Sequence, residues 1–211
     1  MTPEFVHRYV PGSNGRTLLL LHGTGGDEND LLGLGRELDP EAALLSPRGK
    51  VLENGMPRFF RRLAEGVFDL EDLRMRTGEL AQFLDRAAEQ YGFDQRRVVA
   101  AGYSNGANIA ASLLLRHPGL LSGAILYRPM LPFEPETQPD LHDVRVWMGA
   151  GRADRVIPAG SAQKLQSVLV AAGAEVTFYW HPGGHELGQG DLTNARVWLG
   201  AINPPPDVSG S

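Results

Sequence analysis

The chain has 211 residues, a formal net charge of −5, 42% hydrophobic residues and 21% charged ones, the proportions of a globular domain with one ordinary core. An acidic balance gives no electrostatic basis for nucleic acid or an anionic membrane as partner. The lack of cysteine excludes disulfides, thiolate metal sites and a cysteine nucleophile, and it fits a reducing compartment.

The opening residues, with Pro3, Glu4, His7 and Arg8, lack the apolar core of an export leader. The longest apolar run, Leu18 to Leu21, is far below the ~20 residues of a membrane span. A cytoplasmic protein without membrane insertion is expected. Short apolar segments bounded by turn residues read as strands at 17–21, more weakly at 42–46, then at 97–101, 123–127, 144–148 and 176–180. They are apolar throughout, which suits a parallel sheet covered on both faces. Helical patterns lie between them at 69–91, 105–116, 159–171 and 192–199; the first places Leu73, Leu80, Phe83, Leu84, Ala87 and Tyr91 on one face. The alternation implies a doubly wound, mostly parallel α/β sheet with helices on both faces.

Two stretches read as loops. Residues 46–66 hold a short cluster of Arg58, Arg61 and Arg62 interleaved with Phe59 and Phe60, read as local structure. Residues 128–140 carry four prolines. Both follow candidate strands, where pocket walls stand in such sheets, although plain surface connections explain them equally. Phe59, Phe60, Met130 and Phe133 are candidate lining residues on that basis. One domain is expected over residues 1–202, followed by a flexible, proline-rich tail at 203–211.

The chemistry is concentrated in turns. Gly102-Tyr103-Ser104-Asn105-Gly106 fits G-x-S-x-G between an apolar strand and a small-residue helix. That setting lifts a serine hydroxyl clear of the sheet beside a helix N-terminus. A serine needs a base to become a nucleophile. His185 follows Gly183-Gly184 beyond a strand's carboxyl end, whereas His7 and His22 precede the serine, His117 ends its helix, His142 lies in the proline-rich connection and His181 continues a strand. Pro182, Gly183 and Gly184 forbid a helix that would make His181 and His185 a zinc pair, so no metal is expected. Asp154, four residues after Ala150, is the expected acid; Asp140 and Asp143 precede a strand and Asp191 comes after the histidine. The amides of Asn105 and of Thr24, with Gly25 as alternate, in His22-Gly23-Thr24-Gly25-Gly26 suit an oxyanion hole. His22 reads there as a structural hydrogen-bonder. No phosphate-loop glycine pattern is present.

These segments, together with Asp27-Glu28 and residues 149–154, resemble the phospholipase/carboxylesterase family of α/β-hydrolases, which includes the acyl-protein thioesterases. Residues 51–60 and 105–110 also resemble the bacterial branch containing hydroquinone-associated hydrolases. The resemblance implies an α/β-hydrolase fold without a large cap domain and no cofactor. It implies activity on short- or medium-chain or aryl esters as small-molecule substrates, and it leaves a homodimer open. Asn105 stands where the thioesterases usually have glutamine. Lactone or thioester hydrolysis and perhydrolysis on the same triad are alternatives, as is a non-catalytic ligand binder.

Overall fold

The computed structural model describes residues 5–157 and 159–202; the tail expected at 203–211 lies outside them. In chain order the strands and helices are β1 (His7–Val10), β2 (Thr17–Leu21), α1 (Leu32–Leu38), β3 (Ala43–Pro47), β4 (Val51–Glu53), β5 (Met56–Arg58), β6 (Arg62–Ala64), β7 (Val67–Phe68), α2 (Leu70–Tyr91), β8 (Val98–Tyr103), α3 (Asn105–Arg116), β9 (Gly123–Tyr127), β10 (Arg145–Gly151), α4 (Ala159–Ala171), β11 (Glu175–His181) and α5 (Gln189–Ala201). Seven strands form one sheet in the order β1-β3-β2-β8-β9-β10-β11. All neighbours are parallel except β1, which runs antiparallel to β3 at the edge.

The apolar strands divide their side chains between two cores, because successive residues point to opposite faces. Leu19 and Leu21 of β2 enter a core built with α2, α3 and α4; Leu18 and Leu20 enter a second one closed by α1 and α5. Continuous rather than alternating hydrophobicity is thus what two covered faces require. This is the doubly wound α/β-hydrolase architecture that the sequence implies, and the described residues include no large cap.

Local chemistry sets the helix limits. Asp69 caps α2 by accepting the Asp72 N–H at 3.1 Å, and Gly92, at φ 72°, takes the left-handed turn that ends it. The expected face of α2 (Leu73, Leu80, Phe83, Leu84, Ala87) is buried, and Tyr91 is partly so.

Three features differ from the sequence reading. β1 and α1 were not anticipated: His7–Val10 shows no clear alternation, and α1 carries two glycines and no side-chain cap. Residues 46–66 are not a plain loop, since β4–β5 and β6–β7 are antiparallel hairpins over 51–68. Asn54 and Gly55, at φ 52° and 81°, make the turn with two positive φ values that an Asn-Gly pair favours. Residues 128–140 do lack regular elements.

Candidate active site

Four neighbouring strands, β8, β9, β10 and β11, lead at their carboxyl ends into Ser104, Arg128, Asp154 and the loop of His185. Ser104 sits at φ 53°, ψ −112° between β8 and α3, a conformation costing a non-glycine residue about 1–3 kcal/mol. The turn is held by the Ser104 N–H on the Tyr127 carbonyl at 2.9 Å and by the Asn108 N–H on the Ser104 carbonyl at 3.0 Å. Its glycines are sterically required. A Cβ on Gly102 would lie 2.5 Å from the Gly106 oxygen, and one on Gly106 would overlap the Leu21 carbonyl.

The structure brings the three candidate triad residues together. His185 Nε2 lies 3.0 Å from Ser104 Oγ, and His185 Nδ1 lies 2.8 Å from Asp154 Oδ2. The Asp154 side chain is 3% exposed and His185 21%. A buried carboxylate acceptor fixes the proton on Nδ1 and leaves Nε2 as the acceptor facing the hydroxyl. Asp154 Oδ1 meanwhile accepts the Val156 and Ile157 amides at 2.8 and 2.9 Å.

The loop bearing His185 is held along three successive carbonyls. Arg128 Nε donates to Gly184 O at 3.0 Å, Tyr103 Oη to His185 O at 3.1 Å, and Arg128 Nη2 to Glu186 O at 2.6 Å. Arg128 is itself buried, at φ 55°, and its fork meets both Asp191 oxygens at 2.8 Å. Asp191 also accepts the Gly188 N–H and lies 3.2 Å from His181 Nδ1. Sequence reasoning missed Arg128 and set Asp191 aside as following the histidine. The Arg128-Pro129 pair signals only a strand end, and its partner lies 63 residues away.

Beside Ser104 is a cleft of ≈ 50 Å³ lined by Thr24, Arg58, Arg62, Phe68, Asn108 and Met130 among others. The amides of Thr24 and Asn105 have no acceptor among the described residues, as donors reserved for a developing oxyanion require. The Gly25 amide is already bonded to Pro57 O at 2.9 Å, which removes that alternate. Thr24 is oriented by Arg58, whose Nη1 donates to Thr24 Oγ1 at 2.9 Å and meets Glu53 at 2.9 Å. Burial lowers the Arg58 pKa against the opposing pull of Glu53, and the Arg62 hydrogen bond lowers that of Glu53.

Of the candidate lining residues only Met130 borders this cleft. Phe59 and Phe60 are 1% and 0% exposed and belong to the core, Phe59 packing on the His22 ring at 4.7 Å. Phe133 borders a separate depression with Arg74 and Leu115. Phe59 and Phe60 lie in the connection between β5 and β6, whose course is set by packing and not by composition.

His22 accepts the Gly49 N–H on Nε2 at 2.9 Å, so its proton is on Nδ1, donated to Gly23 O at 2.7 Å. Burial lowers its pKa and holds it neutral. Asp140 and His142 form an exposed pair ahead of β10, remote from the serine in the fold. Among the described residues no group of three or more His, Asp or Glu is placed to hold a metal, and no helix is long and apolar enough to cross a membrane.

The chain resembles known proteins over most of its length. Residues 61–186 match the dienelactone hydrolase family. The protein MhqD of Bacillus subtilis (strain 168) is 52% identical over 192 residues, spanning 91% of this chain and 96% of that one. A Bacillus cereus carboxylesterase structure superposes with a TM-score of 0.92 at 48% identity, covering 94% of this chain and 95% of its own. A carboxylesterase from Mesorhizobium loti gives 0.90 at 33% identity, covering 96% and 98%. The α/β-hydrolase kinship expected from the motifs therefore holds, and this chain belongs to the dienelactone hydrolase family.

Proposed function

We propose that the protein is a serine carboxylesterase in which Ser104, His185 and Asp154 form the catalytic triad. The observation that carries this is the continuous hydrogen-bonded line from Asp154 through His185 to Ser104 at the carboxyl edge of the sheet. In this reading Ser104 Oγ attacks the ester carbonyl while His185 Nε2 takes its proton. The tetrahedral oxyanion is met by the Thr24 and Asn105 amides. His185 then returns the proton to the leaving alkoxide, giving the alcohol and an acyl-serine. Water, deprotonated by the same imidazole, attacks the acyl-serine and releases the carboxylic acid. Asp154 holds the ring and stabilises the transient imidazolium.

The ≈ 50 Å³ cleft is small against the roughly 300–1,000 Å³ of common ligand sites, which favours short acyl groups. The matched family's name favours lactones, as cyclic esters, for a second reading on the same triad. Incubation with a fluorophosphonate probe, followed by peptide mapping, tests the common core. Labelling at Ser104 that is lost in Ser104→Ala, together with loss of short-chain ester turnover, is expected. A purified Ser104→Ala enzyme with wild-type rates would end the assignment.

A further inference from the structure

The cleft walls come from distant parts of the chain, yet the nucleophile helix holds two of them by the same device. Asn105 Oδ1 accepts the Phe59 N–H at 2.7 Å, fixing the strand end that brings Arg58 to the cleft. Asn108 Oδ1 accepts the Met130 N–H at 2.7 Å, fixing the segment after β9. Three residues apart, the two amides share one face of α3. Both side chains are buried, at 2% and 4% exposure. Residues 128–140 form no helix or strand. Arg128 is anchored to Gly149 O and Asp191, and at Met130 itself the backbone amide is tied to the nucleophile helix by the Asn108 bond. The Met130 methyl in turn lies under the β6–β7 turn, 4.0 Å from where a Cβ on Gly66 would stand.

We infer that Asn108 is a positioning residue for substrate selection: through the Met130 amide it sets the width of the cleft and so the acyl length that Ser104 accepts. This rests on the esterase reading above. A side-chain carbonyl is needed at that place because the Met130 amide, at its partly buried position, otherwise lacks an acceptor, and an unmet buried amide drives a segment to move. With the segment released, Met130 swings aside and longer chains enter. Discrimination by one or a few methylenes is worth about ten- to two-hundredfold, the range such a wall controls.

The test compares wild type, Asn108→Ala and Asn108→Asp, the last keeping the acceptor oxygen. kcat/KM is measured for p-nitrophenyl acetate and p-nitrophenyl hexanoate, and deuterium uptake is followed at the Met130 amide. The acetate-to-hexanoate ratio is expected to fall about tenfold in Asn108→Ala, with faster exchange at Met130, and both are expected to return toward wild type in Asn108→Asp. Melting curves separate this from general loosening, which lowers both rates without changing their ratio. An unchanged ratio in a folded Asn108→Ala protein, or unchanged protection of the Met130 amide, overturns the inference. Failure of the wild type to turn over either ester or to take up a fluorophosphonate would fall instead on the esterase reading.

Discussion

Arg128 and Asp191 form a two-armed ion pair, 2.8 Å on each arm, with both side chains at most 1% exposed. The pair underlies the histidine loop, because the same guanidinium holds the carbonyls of Gly184 and Glu186 on either side of His185.

Removing one partner of such a pair strands a buried charge at a cost of about 3–5 kcal/mol. Arg128→Met is therefore expected to lower the melting temperature sharply and to lower kcat. The double variant Arg128→Met/Asp191→Leu removes both charges, and much of the stability is expected to return. Its kcat is not, since nothing then holds the two carbonyls. Thermal melts beside steady-state kinetics decide the point; a double variant with full kcat would show that the loop needs no such support.

Thr24→Val removes the oxygen that accepts from Arg58 while preserving shape and the backbone amide. Loss of an oxyanion donor costs up to 10²–10³ in rate, and a misdirected donor costs less. A drop in kcat of about tenfold with little change in KM is expected, with recovery in Thr24→Ser. A Thr24→Val enzyme as fast as wild type would free Thr24 from this role.

Asp154→Asn keeps the bulk of the carboxyl but disfavours the Nδ1-protonated ring. In a well-studied triad this change costs ~10⁴ in kcat, and a loss approaching that is expected here. Ester assays across several pH values check it; full activity would place the orienting carboxylate elsewhere.

Burial holds the His22 pKa below its ordinary value. A histidine kept neutral by burial binds its proton more weakly folded than unfolded, where the pKa is about 6.5. Its contribution to stability is complete above that value and is lost as pH falls toward the folded pKa. Melting temperatures between pH 7.5 and 5 should thus fall in the wild type. His22→Gln carries no such proton and should show a shallower slope; equal slopes would show that other groups dominate.

Much of this was legible in the residues because the buried strands are continuously apolar and end in turn residues. The strand at 17–21 and the helix at 105–116 were read to the residue, and β9 likewise. Ser104, Asp154 and His185 stood out as candidates because each lies in a glycine-containing turn just beyond a strand's carboxyl end. The hairpins over 51–68 were not read, although Asn54-Gly55 was a usable turn signal. Arg128, Asn108 and Arg58 were out of reach: each acts through a partner 22 to 63 residues away or across a turn whose course only packing decides. The same holds for Phe59 and Phe60, whose direction depends on the course of the connection between β5 and β6.

The contact between the His185 imidazole and the Ser104 hydroxyl joins residues 81 positions apart and crosses three seams of the sheet, β8 to β9, β9 to β10 and β10 to β11. No fragment ending before the last strand can assemble it. On the proposed mechanism, turnover therefore requires β8 through β11 to have closed side by side, so activity reports the docking of that half of the sheet.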